Sequence, residues 1–250
     1  MLRVENLTVV CGGASIVDHV SFSVEEGRWL MIVGPNGAGK STIINAVTQG
    51  AAYSGRVLFE GTDVSQFKPS QLAKKIGTLT QNHMVGYAYT VEDVIRLGRY
   101  AYTQGLFSAA ADDETCIDQA LELTGLKEIR GQSILTLSGG ELQRTFLAQV
   151  IAQDPKLLLL DELANHLDLL YQKQMFELVQ TWLEAPGRAV VSVVHDLSLA
   201  KRFGTDAVLL KKGQTLSFGP VEQVLSVERL NPAYDMNVRE WMLNLLSLWK

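Results

Sequence analysis

Gly34-Pro35-Asn36-Gly37-Ala38-Gly39-Lys40-Ser41 is the stretch of this sequence that decides its fold. It follows an apolar run, Trp29-Leu30-Met31-Ile32-Val33, which is typical of a buried strand, and a predicted helix begins near Thr42. Glycines at these spacings let several backbone N–H groups converge on phosphate oxygens, and the amino terminus of the helix adds partial positive charge. The stretch matches the phosphate-binding loop motif at every fixed position, so it predicts a nucleotide site.

Two side chains of this loop have predicted roles in binding ATP and Mg²⁺. Lys40 is expected to reach the β- and γ-phosphates, and the Ser41 hydroxyl to ligate Mg²⁺. The alternative is a glycine-rich turn that only joins a strand to a helix, but the strand–loop–helix setting favours the nucleotide site. The predicted nucleotide contacts are Gly34, Pro35, Asn36, Gly37, Ala38, Gly39, Lys40, Ser41 and Thr42.

Two carboxylates end a second apolar run, Leu157-Leu158-Leu159-Leu160-Asp161-Glu162. A buried strand that ends in acids places them at the carboxyl edge of an α/β sheet, where such sheets bind ligands. Asp161 is expected to hold Mg²⁺ through water, and Glu162 to act as general base or to position the water that attacks the γ-phosphate. The alternative is a helix amino terminus with favourable acids. The phosphate loop in the same chain favours the catalytic interpretation.

The composition excludes several classes of protein. Of 250 residues 47% are hydrophobic, which rules out disorder, and 22 Lys and Arg against 27 Asp and Glu argue against general binding to nucleic acids. Two cysteines cannot form a disulfide framework, and no apolar run approaches the roughly 18–20 residues that span a bilayer. The amino terminus carries no signal-peptide pattern. We therefore expect a soluble protein of a reducing, cytosolic compartment with no nucleic-acid partner.

Three stretches of different pattern follow one another along the chain. Short strand-like runs dominate up to about residue 80, apolar residues recur at helical spacing from Val91 to Gln153, and strands alternate with helices from Leu157 onward. This alternation predicts a parallel sheet covered by helices. The expected fold is α/β, with a helical block inserted between two α/β stretches.

At Leu137-Ser138-Gly139-Gly140-Glu141 the sequence resembles the ABC transporter ATPases, whose family-defining loop lies about twenty residues before the acidic strand. Ser138 and two glycines at a helix amino terminus form a second anion site. In this family that site serves the partner's nucleotide, so the resemblance implies a homodimer of cassettes with two ATP molecules between them. The alternative is a local capping box of Ser138 and Glu141, which does not explain both glycines.

Other elements of the family follow in order. The resemblance identifies Gln81 as the glutamine that meets Mg²⁺ and the attacking water, and His195 as the switch histidine that contacts the γ-phosphate. Asn165-His166-Leu167-Asp168 is similar to the loop that crosses the dimer interface, where Asp168 is a further contact to the bound nucleotide. The resemblance thus implies three catalytic residues, Glu162, His195 and Gln81, with Ser41, Gln81 and Asp161 around Mg²⁺.

Two positions depart from the family pattern. The family places an aromatic residue about 23 positions before the phosphate loop to stack on adenine, and here that position is Cys11. A thiol offers less stacking surface, so we expect a weaker adenine contact or a substitute from elsewhere. After Glu162 the family has Pro-Thr or Pro-Ser, whereas this chain has Leu163-Ala164. Without the proline, the loop from Glu162 to Asp168 is expected to be less stiff.

Three segments resemble the ATPases of importers for iron–siderophore, haem and vitamin B12 complexes: Thr90–Tyr100, Val194–Ala200 and Asn165–Gln172. The resemblance implies ATP hydrolysis coupled to import, two membrane permease subunits, an indirectly acting extracytoplasmic substrate-binding protein, and a place at the cytoplasmic face of the inner (plasma) membrane. Tyr87, Tyr89 and Tyr100 are expected to line the groove for the permease, or else to be half-buried packing residues. A soluble cassette acting in assembly, of the iron–sulfur type, remains the alternative.

The resemblance also divides the chain. It implies a P-loop NTPase cassette over residues 1–226, with a parallel-sheet core, an N-terminal antiparallel β subdomain and a helical subdomain inserted at about 82–150. Residues 227–250 form a helical tail with one apolar face. We expect this face to pack against the cassette or its twin, with attachment to a membrane surface as the alternative. The residues of the face are Trp241, Leu245 and Leu248.

Overall fold

Ten strands and ten α-helices occur in the residues that the computed structural model describes, which are 1–80, 88–102, 110–165 and 167–249, without the side chains of residues 110 and 111. The strands are β1 (Leu2–Cys11), β2 (Ala14–Val24), β3 (Trp29–Val33), β4 (Ser54–Phe59), β5 (Thr62–Asp63), β6 (Ile76–Leu79), β7 (Leu157–Asp161), β8 (Ala189–Val193), β9 (Asp206–Lys211) and β10 (Gln214–Pro220). The helices are α1 (Lys40–Val47), α2 (Pro69–Ala73), α3 (Val91–Leu97), α4 (Ala110–Leu123), α5 (Gly139–Ala152), α6 (Leu169–Leu183), α7 (Leu197–Phe203), α8 (Val221–Val224), α9 (Val227–Tyr234) and α10 (Val238–Ser247).

The chain divides into two units. The first unit comprises Met1–Val64 and Val191–Lys250, and the second comprises Ser65–Val190. The chain leaves the first unit after the amino-terminal sheet and returns to it within β8. This division follows the contacts between residues and not the positions of the sequence motifs. The cassette, insertion and tail bounds expected from the resemblance therefore remain a prediction.

The first unit contains an antiparallel sheet in the order β2-β1-β4-β5. Val4 on β1 lies opposite Phe22 on β2 and Val57 on β4. Successive side chains of a strand point to opposite faces, so Leu2 and Val4 are buried, and after a register shift so are Leu7 and Val9. β2 begins at Ala14 because it pairs with β1 up to the turn at Gly12-Gly13.

A mixed sheet is also present in the first unit. β3 pairs in parallel with β9, and β9 pairs in antiparallel fashion with β10. Every residue of β3 is buried, as expected for a strand covered on both faces. The expected α/β fold, with an antiparallel β part and parallel strands, is confirmed, whereas the antiparallel strand β10 has no counterpart among the sequence-based predictions.

In the second unit β6 and β7 form a parallel pair, with Gly77 opposite Leu158. Helices α3, α4 and α5 lie between these two strands in the sequence, as the helical periodicity predicts. A Cβ atom on Gly98, after α3, would lie 2.1 Å from the carbonyl oxygen of Gln149 on α5, so the two helices approach closely there. Arg99 and Asp113 add a largely buried ion pair of 2.7 Å between α3 and α4.

The tail helix α10 leaves one expectation open. The face of Trp241, Leu245 and Leu248 is 53, 41 and 79% exposed, so the described residues of its own chain cover it only in part. Val238 is the buried residue of α10, and packing against a twin remains a prediction. In the described part of the chain, no helix combines the length and apolar character needed to cross a membrane.

Candidate functional site

The phosphate loop joins β3 to α1. The backbone N–H of Ala38 donates to the carbonyl oxygen of Pro35 (3.2 Å), which closes the loop on itself. Gly39 occupies the N-cap of α1 and brings no side-chain oxygen to the N–H groups of the first turn. A helix that begins in this way presents its amino terminus to an anion rather than to a side-chain cap.

Two glycines of the loop are required by close backbone approaches. A Cβ atom on Gly34 would lie 2.3 Å from the carbonyl oxygen of Leu210 on β9, and one on Gly39 would lie 2.7 Å from that of Ile16 on β2. Gly37 has a positive φ of +78° but open space around its Cβ position. The loop therefore packs against β9 at its start and against β2 at its end. This path is possible only because Gly34 and Gly39 have no side chain.

The side chain of Lys40 folds back into the loop. It is 6% exposed, and Nζ donates to the carbonyl oxygens of Gly34 (2.8 Å) and Pro35 (3.0 Å). A buried ammonium group needs such partners. Ser41 and Thr42 are half-buried in the first turn of α1. The loop and the turn after it thus hold a buried positive charge and two hydroxyl groups.

Tyr234 is a contact of the phosphate loop that the sequence analysis missed. Burial raises the pKa of its phenol, and a hydrogen bond from the backbone of Gly34 opposes that rise. Tyr234 ends α9, in the segment expected to be a separate tail. No motif marks this residue, because the contact joins positions far apart in the sequence. The tail therefore touches the first residue of the loop.

His195 follows β8 at the sheet edge from which the phosphate loop leaves β3. The backbone N–H of Val194 donates to the carbonyl oxygen of Ile32 (3.2 Å), which links these two strand ends. The His195 side chain is exposed and lines a cavity of about 800 Å³ together with residues of the tail helices. Asp196 caps α7 by accepting hydrogen bonds from the N–H groups of Ser198 (2.7 Å) and Leu199 (3.2 Å).

The acidic pair lies at the end of β7 in the second unit. Asp161 is the last residue of the strand, and both it and Glu162 are half-buried. Glu162 has a φ of +59°, a left-handed conformation that costs a non-glycine residue about 1–2 kcal/mol. Such residues cluster at functional sites. The side-chain amide of Asn165 donates a hydrogen bond to Glu162 Oε2.

The turn before α5 contains the capping box that the sequence analysis weighed as an alternative. Ser138 accepts a hydrogen bond from the N–H of Glu141 (3.3 Å), and the N–H of Ser138 donates to Glu141 Oε2 (2.8 Å). The hydrogen bond from the Ser138 hydroxyl (2.7 Å), followed by that from its backbone, lowers the pKa of the Glu141 carboxyl group. Capping therefore occupies Ser138 within this chain.

The two glycines of this turn have different surroundings. A Cβ atom on Gly140 would lie 2.3 Å from Cδ1 of Tyr171 on α6, so packing within the chain requires a glycine there. Around Gly139 no atom of the described residues lies within 4 Å of a Cβ position, and its φ is not positive. Gly139 therefore keeps an open surface that this chain's own packing does not explain.

The loop after the acidic pair is tied to α5 and α6. Gln143 Nε2 on α5 donates to the carbonyl oxygen of Leu163 (3.2 Å). Asp168 is the N-cap of α6, and its Oδ1 accepts a hydrogen bond from the N–H of Tyr171 (2.9 Å). In the second unit, the predicted residues of the Ser138 turn and of the acidic loop are thus brought into one hydrogen-bonded and packed cluster.

Four residues named in the sequence analysis remain. Gln81, Tyr87 and His166 lie outside the described residues. Cys11 is exposed at the end of β1, opposite Ala14. It forms part of the β1–β2 hairpin, and β2 also supplies the Ile16 carbonyl oxygen that approaches the phosphate loop.

The residues present fit ATP and Mg²⁺. In the first unit, the phosphate loop suits a polyphosphate. It has glycines at the two positions where other backbone approaches most closely, and its lysine is buried. The hydroxyl group of Ser41 in the first unit and the carboxylate of Asp161 in the second are oxygen ligands of the type Mg²⁺ prefers.

A glycine-rich loop follows the buried parallel strand β3, and its lysine is the first residue of helix α1. This arrangement defines a P-loop nucleotide-binding protein. Residues 17–165 match the family model described as ABC transporter. The chain belongs to this family and carries its ATP-binding domain.

Several curated proteins are similar along nearly the whole chain. The petrobactin import ATP-binding protein YclP of Bacillus subtilis (strain 168) is 32% identical over 95% of this chain and 94% of its own length. The hemin import ATP-binding protein HmuV of Jannaschia sp. (strain CCS1) is 35% identical over 94% and 87%. The uncharacterized ABC transporter ATP-binding protein YvrA of Bacillus subtilis (strain 168) is 35% identical over 95% of this chain, which spans only 54% of that protein.

Solved structures show the same fold. A metal-chelate type ABC transporter in an inward-facing conformation superposes with a TM-score of 0.81 at 25% identity, covering 94% of this chain and 88% of that one. The dimeric bacterial ABC transporter cassette MJ0796 superposes with a TM-score of 0.77 at 25% identity, covering 88% and 99%.

Replacing Gly39 with alanine is expected to cost more stability than replacing Gly37. Both substitutions place a side chain at positive φ, but only the Cβ at position 39 would also meet the carbonyl oxygen of Ile16. We expect the free energy of unfolding, measured with urea, to fall at least about 2 kcal/mol further in Gly39→Ala than in Gly37→Ala. Equal losses would show that φ alone governs both positions.

A double-mutant cycle tests the contact between Gly140 and Tyr171. Gly140→Ala is expected to destabilise the protein because its Cβ would overlap the Tyr171 ring, although alanine is otherwise the better helix former. Tyr171→Ala makes room, so the cost of alanine at position 140 should disappear in the double variant. The coupling free energy from urea unfolding should be about 1–3 kcal/mol, and additive losses would contradict the contact.

Proposed function

We propose that this chain is the ATP-hydrolysing subunit of a membrane importer for a metal chelate, such as an iron–siderophore, haem or cobalamin complex. The observation that carries the proposal is the phosphate loop, with a buried lysine and two glycines that the backbone of neighbouring strands approaches closely. The chain is also similar to YclP over 94% of the length of that protein. The import ATP-binding proteins for petrobactin and hemin and the metal-chelate type transporter support the class of cargo.

In the first unit, the loop residues 34–39 and the first turn of α1 bind the phosphates of ATP. Lys40 turns its ammonium group from the carbonyl oxygens of Gly34 and Pro35 toward the β- and γ-phosphates, where it neutralises charge. Ser41 would be an oxygen ligand for Mg²⁺ in this unit, and the bound ion would supply positive charge that stabilises the phosphate oxygens of ATP during hydrolysis. His195, at the same sheet edge, contacts the γ-phosphate.

In the second unit, Glu162 accepts the proton of the attacking water or orients that water. Asp161 would hold Mg²⁺ through water, and Gln81, which lies outside the described residues, would meet the ion and the attacking water. The hydrogen bond from the Asn165 amide to the Glu162 side chain supports a functional role, because it holds the carboxylate in one orientation.

Two copies of the chain bind ATP between them, each contributing its Ser138 turn to the other's nucleotide. The open surface at Gly139 supports this role, since no atom of the described residues would meet a side chain there. Asp168 lies in the same dimer interface. The cassette MJ0796, which is dimeric, supports this pairing.

The dimer drives two permease subunits at the cytoplasmic face of the inner membrane, and an extracytoplasmic binding protein delivers the chelate to them. Tyr89 and Tyr100, which are 46 and 80% exposed, support a docking surface for the permease in the segment before and after α3.

Gly139→Ala is expected to abolish ATP-dependent dimerisation while leaving the fold intact. Alanine in the first turn of α5 favours the helix, but its methyl group projects from the surface that faces the partner's phosphates. We expect ATP hydrolysis to fall at least about 100-fold with no loss in the free energy of unfolding. The measurements are phosphate release and light scattering with ATP.

The matched control for Gly139→Ala is Leu135→Ala. Leu135 is also an exposed residue near this turn, 58% accessible, and it lies outside the Ser138 turn. Full activity in both variants would remove the Ser138 turn from the nucleotide site.

Import is tested by isolating the tagged full chain from membranes of its own organism. Co-purification of a multi-span permease, together with ATP-dependent uptake of a radiolabelled iron chelate, haem or cobalamin, is the expected result. Recovery with soluble assembly proteins and no permease would instead support the assembly class.

A further inference from the structure

We propose that Asn165 is a positioning residue that holds the carboxylate of Glu162 in its working orientation. This inference rests on the proposed role of Glu162 in hydrolysis. The side-chain amide of Asn165 donates to Glu162 Oε2, and its backbone N–H donates to the carbonyl oxygen of Glu162 (3.2 Å). A single residue therefore binds Glu162 through both backbone and side chain.

The turn geometry explains why position 165 can reach the carboxylate. Glu162 has a φ of +59°, and the chain turns back at once, with the N–H of Leu167 donating to the carbonyl oxygen of Ala164 (3.4 Å). Leu163-Ala164 contains no proline to stiffen this turn. The two hydrogen bonds of Asn165 therefore constrain this turn without help from a proline.

A held carboxylate is useful to a general base. The side chain of a glutamate has three rotatable bonds, and a base must aim one oxygen at the water within hydrogen-bond distance. The bond at Oε2 selects one orientation before the substrate arrives, which lowers the entropic cost of reaching the transition state. The donor is a neutral amide, so it adds no charge that would compete with the phosphates.

Two other amides hold the same loop without touching Glu162. Gln143 Nε2 donates to the carbonyl oxygen of Leu163 (3.2 Å), and Gln172 Nε2 donates to that of Leu167 (2.9 Å). Each bond joins a helix to the loop backbone. Gln143→Ala and Gln172→Ala therefore loosen the loop and leave the carboxylate contact in place, which makes them matched controls.

The test is steady-state ATP hydrolysis by the full chain. Asn165→Ala should lower kcat about 10- to 100-fold, the range for a lost hydrogen bond to a charged group, while KM for ATP changes less than about threefold. Asn165→Asp has the same shape but replaces the donor with an acceptor, so it should lose at least as much. Gln143→Ala and Gln172→Ala should keep kcat within about threefold of the unsubstituted chain.

Each other outcome overturns the proposal. Activity in Asn165→Asp equal to that of the unsubstituted chain would show that shape alone matters, and equal losses in Asn165→Ala and Gln172→Ala would show that the residue only stiffens the loop. If Asn165→Ala does not fold, Asn165→Asp carries the test. Glu162→Gln distinguishes the proposed role of Glu162 from the proposed role of Asn165. If Glu162→Gln retains full turnover, the proposed role of Glu162 is wrong. If it is inactive while both Asn165 variants are active, only the role of Asn165 is wrong.

Discussion

Two backbone carbonyl oxygens, those of Leu210 and Ile16, approach the phosphate loop so closely that Gly34 and Gly39 cannot carry side chains. The loop is therefore shaped from both sides by strands that precede and follow it in the sequence. Because its amides must converge on phosphate oxygens, a displacement of either strand changes the binding geometry directly. Within the first unit, the antiparallel sheet and the mixed sheet thus both determine the shape of the nucleotide loop.

Features encoded in short segments could be predicted from the sequence. The strand, loop and helix around Lys40 follow from a motif with fixed spacing, and α6 follows β7 as the alternation of strands and helices after Leu157 predicts. The apolar run that ends in Asp161 forms the buried strand β7. In each case the signal is local, either periodic burial or glycine spacing, so one segment contains all the information needed.

Features that depend on contacts between distant segments could not be predicted. Gly139 and Gly140 are equivalent in the sequence, yet only Gly140 packs against Tyr171, a residue that no motif connects to it. The hydrogen bond from Asn165 to Glu162 depends on a left-handed backbone angle at a glutamate, which sequence propensity disfavours. The face of Trp241 on α10 had the periodicity of a packed helix, but amphipathic spacing does not specify which surface will cover it.

Tyr234 on α9 interacts with the backbone of Gly34, a residue 200 positions earlier in the sequence. A truncated gene product that ends near residue 226 would keep every recognised motif and still lose this support of the nucleotide loop. Alignments scored only on motif residues would count such a product as intact. The carboxyl-terminal helices of this cassette therefore belong in any judgement of whether a shortened or spliced version is functional.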